Sequence, residues 1–256
     1  MTKALHSFFG IFGDLIGLFL FLAPTITFKR IILNKSTEEF SGIPYLMTML
    51  NCALSGWYGM PFVSPNNILV VTLNGTGASI EAIYVLIFII YAPKKEKLKI
   101  LGILAFVLAL FSTIALISVF ALHHQNRKIF CGLAAGIFSV IMYGSPLSVM
   151  RLVIRTRSVE YMPFFLSLFS FLCGTSWFIF GLLGKDLFLS VPNGVGGLLG
   201  IAQLILYAIY YKDKGKTKNS TTDKSTEMGL AGCDHKSGND EQKLGSEYRK
   251  ASQDRS

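Results

Sequence analysis

Two asparagines stand 119 residues apart in the same setting, Asn74-Gly75-Thr76-Gly77 and Asn193-Gly194-Val195-Gly196, each near the start of a long apolar run. Asn and Gly are poor helix formers, and an amide in an apolar medium is costly without a partner. Amides donate and accept hydrogen bonds at once, which matches a neutral ligand rich in hydroxyl groups. Ser55 adds a hydroxyl, and Trp177 adds an indole whose face is an apolar platform and whose edge carries one N–H. Such a set suits a polyol. The structural alternative is that the amides bond across helices and Trp177 is packing.

The elements that must carry these groups are membrane helices. The 256 residues are 52% hydrophobic and 15% charged, a balance that soluble domains rarely reach. Apolar segments occupy about 8–28, 43–62, 67–91, 99–121, 130–150, 163–184 and 187–211, each near the ~20 residues a helix needs to cross a bilayer. Barrel strands would alternate over about ten residues instead. Lys29, Arg30, Lys35, Lys94, Lys95, Lys97, Lys99, Arg151, Arg155 and Arg157 fall on one side, against Lys3, Arg127, Lys128 and Lys185 on the other. The richer side is expected to be cytosolic, with the N-terminus extracellular and the C-terminus cytosolic. The net charge of +9 thus reflects membrane-flanking loops and not nucleic-acid binding. Residues 212–256 are polar and charged, and a disordered cytosolic tail is expected there. Cys52, Cys131, Cys173 and Cys233 lack metal or redox spacing, and free thiols are expected.

The two halves repeat. "FLAPTITFKR" answers to "YGSPLSVMRL", and "EEFSGIPYLM" to "SVEYMPFFLS". Pro44 precedes Asn74 by 30 residues, as Pro163 precedes Asn193. The chain therefore reads as a first three-helix repeat (1–93), a linker helix 4 (94–126), a second three-helix repeat (127–211) and the tail (212–256). A single span between two odd-numbered triplets makes the repeats parallel. At 1.5 Å per residue, Asn74 and Asn193 lie about 9–10 Å from one face, and Ser55 and Trp177 about 18–21 Å from the other. In a hydrocarbon core of ~30 Å these four meet at one level. No ionisable side chain is expected there, which argues against an amino-acid or ionic ligand.

Four prolines mark the cytosolic ends. Pro24 and Pro146 are expected to kink their helices, while Pro44 and Pro163 also suit helix starts. Together they form a candidate hinge and cytosolic gate. Tyr58 and Asp186 are the candidate outer gate, a phenol donating to a carboxylate. Glu81 is the acidic residue deepest in an apolar run, a functional hypothesis by default; a donor from a neighbouring helix is expected to satisfy it. Asp14 is expected at the interface, and His6, His123, His124 and His235 in loops or tails. No constellation for an enzyme, metal or cofactor is visible.

These residues resemble the SWEET family, bidirectional sugar facilitators most numerous in plants. The resemblance rests on "FLAPTITF", "KSTEEFSGIPY", "LNGTGASIEAIYVLIF", "SPLSVMRLVIRTRSVEYMPF" and "VPNGVGGLLG". Parallel repeats about an axis along the membrane normal place substrate at the repeat interface, and the SWEETs are themselves a standing example of that architecture. The resemblance implies a seven-helix, all-α membrane fold (3+1+3), alternating access and flux without a proton requirement. It implies sugar binding by Asn74 and Asn193, with Ser55 and Trp177 lining the pocket. It also implies a Pro24/Pro44/Pro146/Pro163 tetrad, a Tyr58/Asp186 outer gate, homo-oligomers and a plasma-membrane location. Sucrose-carrying members tend to have Trp at the Ser55 position and smaller residues near Asn51 and Cys173. The set here resembles the hexose branch, so a glucose-type monosaccharide is expected. The alternatives are sucrose as main substrate, or a proton-coupled carrier of a small neutral solute using Glu81.

Overall fold

The computed structural model describes residues 2–230, with side chains from Lys3 to Tyr211. All regular structure among the described residues is helical. The first span is α1 (Thr2–Leu22) continued by α2 (Thr25–Asn34), followed by α3 (Ile43–Gly59) and α4 (Ile68–Tyr91). The linker is α5 (Lys94–Leu116), closed by a π turn (Ile117–Ala121). The second half runs α6 (His124–Met142) continued by α7 (Gly144–Thr156), then α8 (Phe164–Leu183) and α9 (Leu187–Leu230). The result is a seven-span, 3+1+3 membrane bundle. Among the described residues, six spans are long and apolar enough to cross a membrane. The seventh, α3, has 17 residues, or about 25 Å of helix.

The proline positions explain why the first span of each half is broken. Pro24 has no N–H to give the Leu20 carbonyl. The Ala23 N–H reaches it instead at 3.3 Å, and the chain turns there. In the second half the carbonyl that loses its donor to Pro146 is that of Met142. The helix ends at that residue, with the Tyr143 N–H bonded to the Val140 carbonyl at 3.1 Å. Both short helices then stop eleven residues past their proline in the left-handed conformation, at Lys35 (φ 48°) and Arg157 (φ 50°). Asn66 (φ 69°) and Lys185 (φ 53°) form a second matched pair, just before α4 and α9. The repeat is thus written in the backbone as well as in the sequence.

Packing follows the same pseudo-twofold relation. α1 lies against α8, and its counterpart α6 lies against α3, the counterpart of α8. α4 covers α1 and α3, and α5 rests on α3. At the end carrying Tyr58, one apolar core joins both halves, with Leu50, Leu54 and Val70 from the first and Cys131, Phe180 and Leu189 from the second. At the proline end the halves keep separate cores, one around Phe28, Leu46 and Phe88, the other around Val153, Val159 and Met162. Contact between the halves is therefore concentrated at the Tyr58 end.

Arg127 fastens the π turn, donating to the carbonyls of Ser118 (2.7 Å) and Leu122 (2.9 Å). Trp57 donates to Ser118 Oγ at 2.9 Å, tying α3 to the same place. The compact unit ends at Tyr210. Helical backbone is described as far as Leu230, within the stretch 212–256 for which a disordered tail is expected. The rest of that tail, 231–256 with Cys233 and His235, lies outside the described residues. The three described cysteines, Cys52, Cys131 and Cys173, are free thiols.

Candidate substrate site and gates

Asp186 is 4% exposed and sits at the N-terminal end of α9, where its Oδ1 accepts the Phe188 N–H at 3.1 Å. The Tyr58 phenol donates to it, 2.7 Å from each oxygen. Asn67 Nδ2 donates at 3.0 Å, Ser64 Oγ lies at 3.4 Å and Lys128 Nζ at 3.6 Å. A buried carboxylate costs several kcal/mol unless it is paired and hydrogen-bonded. Here the donors come from α3, the α3–α4 loop and α6, so satisfying the charge closes the halves on each other. Asn67, Ser64 and Lys128 are partners that sequence reading missed. The repeat held the signal for one of them, since Asn67 is the counterpart of Asp186 at the same 119-residue offset.

Further in, the two amides are held alike. Asn74 Nδ2 donates to the Val70 carbonyl, and Asn193 Nδ2 to the Leu189 carbonyl, both at 2.9 Å. Each bond fixes the amide to its own helix, and among the described residues neither amide bonds across helices. The structural alternative for the amides thus loses its bond. The half-buried Oδ1 atoms keep their acceptor capacity.

Trp177, Cys173, Asn51 and Gly56, the neighbour of Ser55, each meet another helix. A methyl group on Gly13 of α1 would lie 2.7 Å from Trp177 Nε1, and Cys173 Sγ lies 3.9 Å from the Gly13 carbonyl. Trp177 is 5% exposed, and its N–H has no partner among the described residues. By offset Trp177 is the counterpart of Tyr58, yet Asn67, the counterpart of Tyr58's acceptor, is occupied by Asp186 and Ser64. Asn51 Oδ1 accepts from Ser139 Oγ of α6 at 3.0 Å. Ser55 is half-buried beside Gly56, where a methyl would lie 3.5 Å from Asn74 Cβ.

The second glycine of each motif now has a reason. A methyl on Gly77 would lie 2.5 Å from the Phe21 ring, and one on Gly196 would lie 2.8 Å from the Tyr143 phenol oxygen. Phe21 and Tyr143 are equivalent residues, each three before its kinking proline. Each kink therefore sends an aromatic ring onto the third helix of its half, into a slot only glycine leaves open. Pro24 and Pro146 lie at these kinks half-buried, while Pro44, at the start of α3, and Pro163, capping α8, are exposed.

Expectations about three residues are corrected. Asp14 lies well inside the span, because α1 starts at Thr2 and not near Phe8; it accepts from Thr72 Oγ1 at 2.9 Å, two residues from Asn74. An ionisable group therefore does stand near the amide level. His6 lies within α1, stacked on Phe180 at 3.9 Å between ring centroids, and not in a loop. Glu81 is 3% exposed and its Oε2 meets no donor among the described residues, where a donor from a neighbouring helix was expected. Its counterpart Gly200 packs on the Phe171 backbone, where a methyl would already be 2.7 Å away.

A bundle joined at one end and kinked by proline at the other, with matched polar groups between, has the architecture of a membrane carrier. The profile of the family described as "Sugar efflux transporter for intercellular exchange" matches residues 7–96 and again 129–215. The chain is 68% identical to the bidirectional sugar transporter SWEET1 of Arabidopsis thaliana, over 82% of this chain and 85% of that one. It is 63% identical to SWEET1a of Oryza sativa subsp. japonica, over 85% and 80% respectively. A solved eukaryotic SWEET transporter superposes with a TM-score of 0.81 at 43% identity, covering 82% of this chain and 99% of that one. The chain belongs to the SWEET family of sugar transporters.

Proposed function

We propose that this protein is a bidirectional uniporter of monosaccharides such as glucose, working by alternating access in the plasma membrane, with the N-terminus extracellular and the C-terminus cytosolic. The observation that carries the reading is the identical fixing of Asn74 and Asn193, which leaves two repeat-related oxygens to accept sugar hydroxyls. Trp177 supplies an apolar face and an N–H without a protein partner. Ser55, Asn51 and Cys173 complete the lining. The Asn51–Ser139 bond holds a bulky side chain in place, which favours a single ring over a disaccharide. Tyr58 and Asp186, hydrogen-bonded to each other at 2.7 Å, form the outer gate; Pro24, Pro44, Pro146 and Pro163 form the cytosolic one. Family resemblance also supports a homo-oligomer.

The test is influx and efflux of labelled glucose in proteoliposomes, with proton and electrical gradients collapsed by an uncoupler. Saturable flux in both directions is expected. Flux that needs a proton gradient transfers the mechanism to Glu81, whose buried, unpartnered carboxyl is the observation favouring that second reading. Flux of sucrose in preference to glucose overturns the substrate assignment.

A further inference from the structure

The two kinks carry the same ring in different chemical dress. In the first half the ring is Phe21, which has no hydroxyl, and the kink is braced from α4. The Tyr84 phenol donates to the Phe21 carbonyl at 3.1 Å and pairs with Thr25 Oγ1 at 2.8 Å, so it spans Pro24. In the second half the counterpart of Tyr84 is Gln203, and the phenol has moved to the kink itself as Tyr143. Its hydroxyl donates to the Pro192 carbonyl in α9. Pro192 is the residue before Asn193, and the Tyr143 ring rests on Gly196, one turn further along.

These contacts make the halves unequal. Phe21 touches the Asn74 helix through packing alone, while the first kink is held by a phenol three turns away from the amide level. Tyr143 grips the backbone unit that bears Asn193. Bending between α6 and α7 has to move the phenol, and the phenol has to move the Pro192–Asn193 peptide or release it. A bond shared by a kink and a binding residue is a physical route by which each biases the other.

We propose that Tyr143 is a positioning residue that couples occupancy of Asn193 to bending at the second-half kink, so that the second half transmits sugar binding more strongly than the first. This rests on the reading of Asn193 as a sugar ligand. Tyr143→Phe keeps the ring on Gly196 and removes only the hydroxyl. Glucose exchange is measured in proteoliposomes, together with equilibrium glucose binding to the purified, monodisperse protein. The maximal exchange rate is expected to fall by about fivefold or more while the binding constant stays within about twofold, the signature of a lost step and not a lost contact. Tyr84→Phe tests the other kink, and a smaller effect on rate is expected there.

An exchange rate equal to wild type, a loss that follows weakened binding alone, or a larger effect at Tyr84 overturns the proposal. A wild-type protein that exchanges no hexose removes the sugar reading and the coupling with it. That result is distinct from an active wild type with an unaffected Tyr143→Phe variant.

Discussion

Asn74 and Asn193 donate the same bond to the same place, the carbonyl four residues earlier in their own helices, at the same 2.9 Å. Membrane amides bonded across helices would act as structural fasteners. These instead spend their N–H groups at home and keep an oxygen for something else. Under the proposed reading, a pseudo-twofold axis along the membrane normal gives one such oxygen from each half to a single central site.

If the proposed gate is right, the bonds at Asp186 set how often that end opens. Tyr58→Phe removes the phenol that meets both carboxylate oxygens and is expected to weaken the closed end by about 1–3 kcal/mol. That corresponds to a roughly 5- to 150-fold shift in the gate equilibrium. Cys131, 2% exposed within the same core, is a native reporter. Its reaction with a membrane-impermeant maleimide should quicken in Tyr58→Phe, and unchanged labelling contradicts the latch.

The glycines of the two repeated motifs should not be equivalent. A methyl on Gly75 meets nothing within 4 Å, so Gly75→Ala should preserve transport and stiffen the helix by about 0.5–1 kcal/mol. Gly77→Ala drives a methyl into Phe21 and is expected to cost about 1–3 kcal/mol as overpacking. Thermal stability and glucose flux of the pair decide it. Equal behaviour of the two variants sinks the ring-in-slot account of the kink.

Substrate size should respond to Asn51 and Cys173. Asn51→Ala frees Ser139 and empties the volume the amide holds. Combined with Cys173→Ser, it is expected to raise the ratio of sucrose to glucose flux, measured by competition in vesicles. A ratio that stays constant places the size filter elsewhere.

Glu81 should be dispensable for energetics. Buried with an oxygen that meets no donor, it gains little from ionising, since an unpaired charge in an apolar setting is strongly disfavoured. Glu81→Gln is therefore expected to keep downhill flux close to wild type at acidic and neutral pH. Abolished flux points to proton transfer through this residue.

Much of this was legible in the sequence because the repeat is. Matching prolines and motifs align Lys35 with Arg157 and Asn66 with Lys185 before any backbone angle is known. The Tyr58–Asp186 pair was legible as chemistry, a donor and an acceptor near one face. What was hidden depended on where helices begin. Polar residues before Phe8 disguise the start of α1 at Thr2, and this shifts Asp14 from the interface, and His6 from a loop or tail, into the bundle. Contacts of higher sequence separation were also hidden. Nothing in hydropathy reports that Ser139 bonds Asn51, that Tyr84 braces the Pro24 kink, or that no donor reaches Glu81 Oε2.

The central claim is a twofold amide site serving downhill sugar flux. Its most direct test is labelled-glucose counterflow in proteoliposomes without any ion gradient, comparing wild type with Asn74→Ala and Asn193→Ala. Removing either oxygen leaves a sugar hydroxyl unpaired at a cost of about 1–3 kcal/mol, so rapid wild-type exchange should fall about tenfold or more in each variant. Exchange that persists at wild-type rates in both variants contradicts the account.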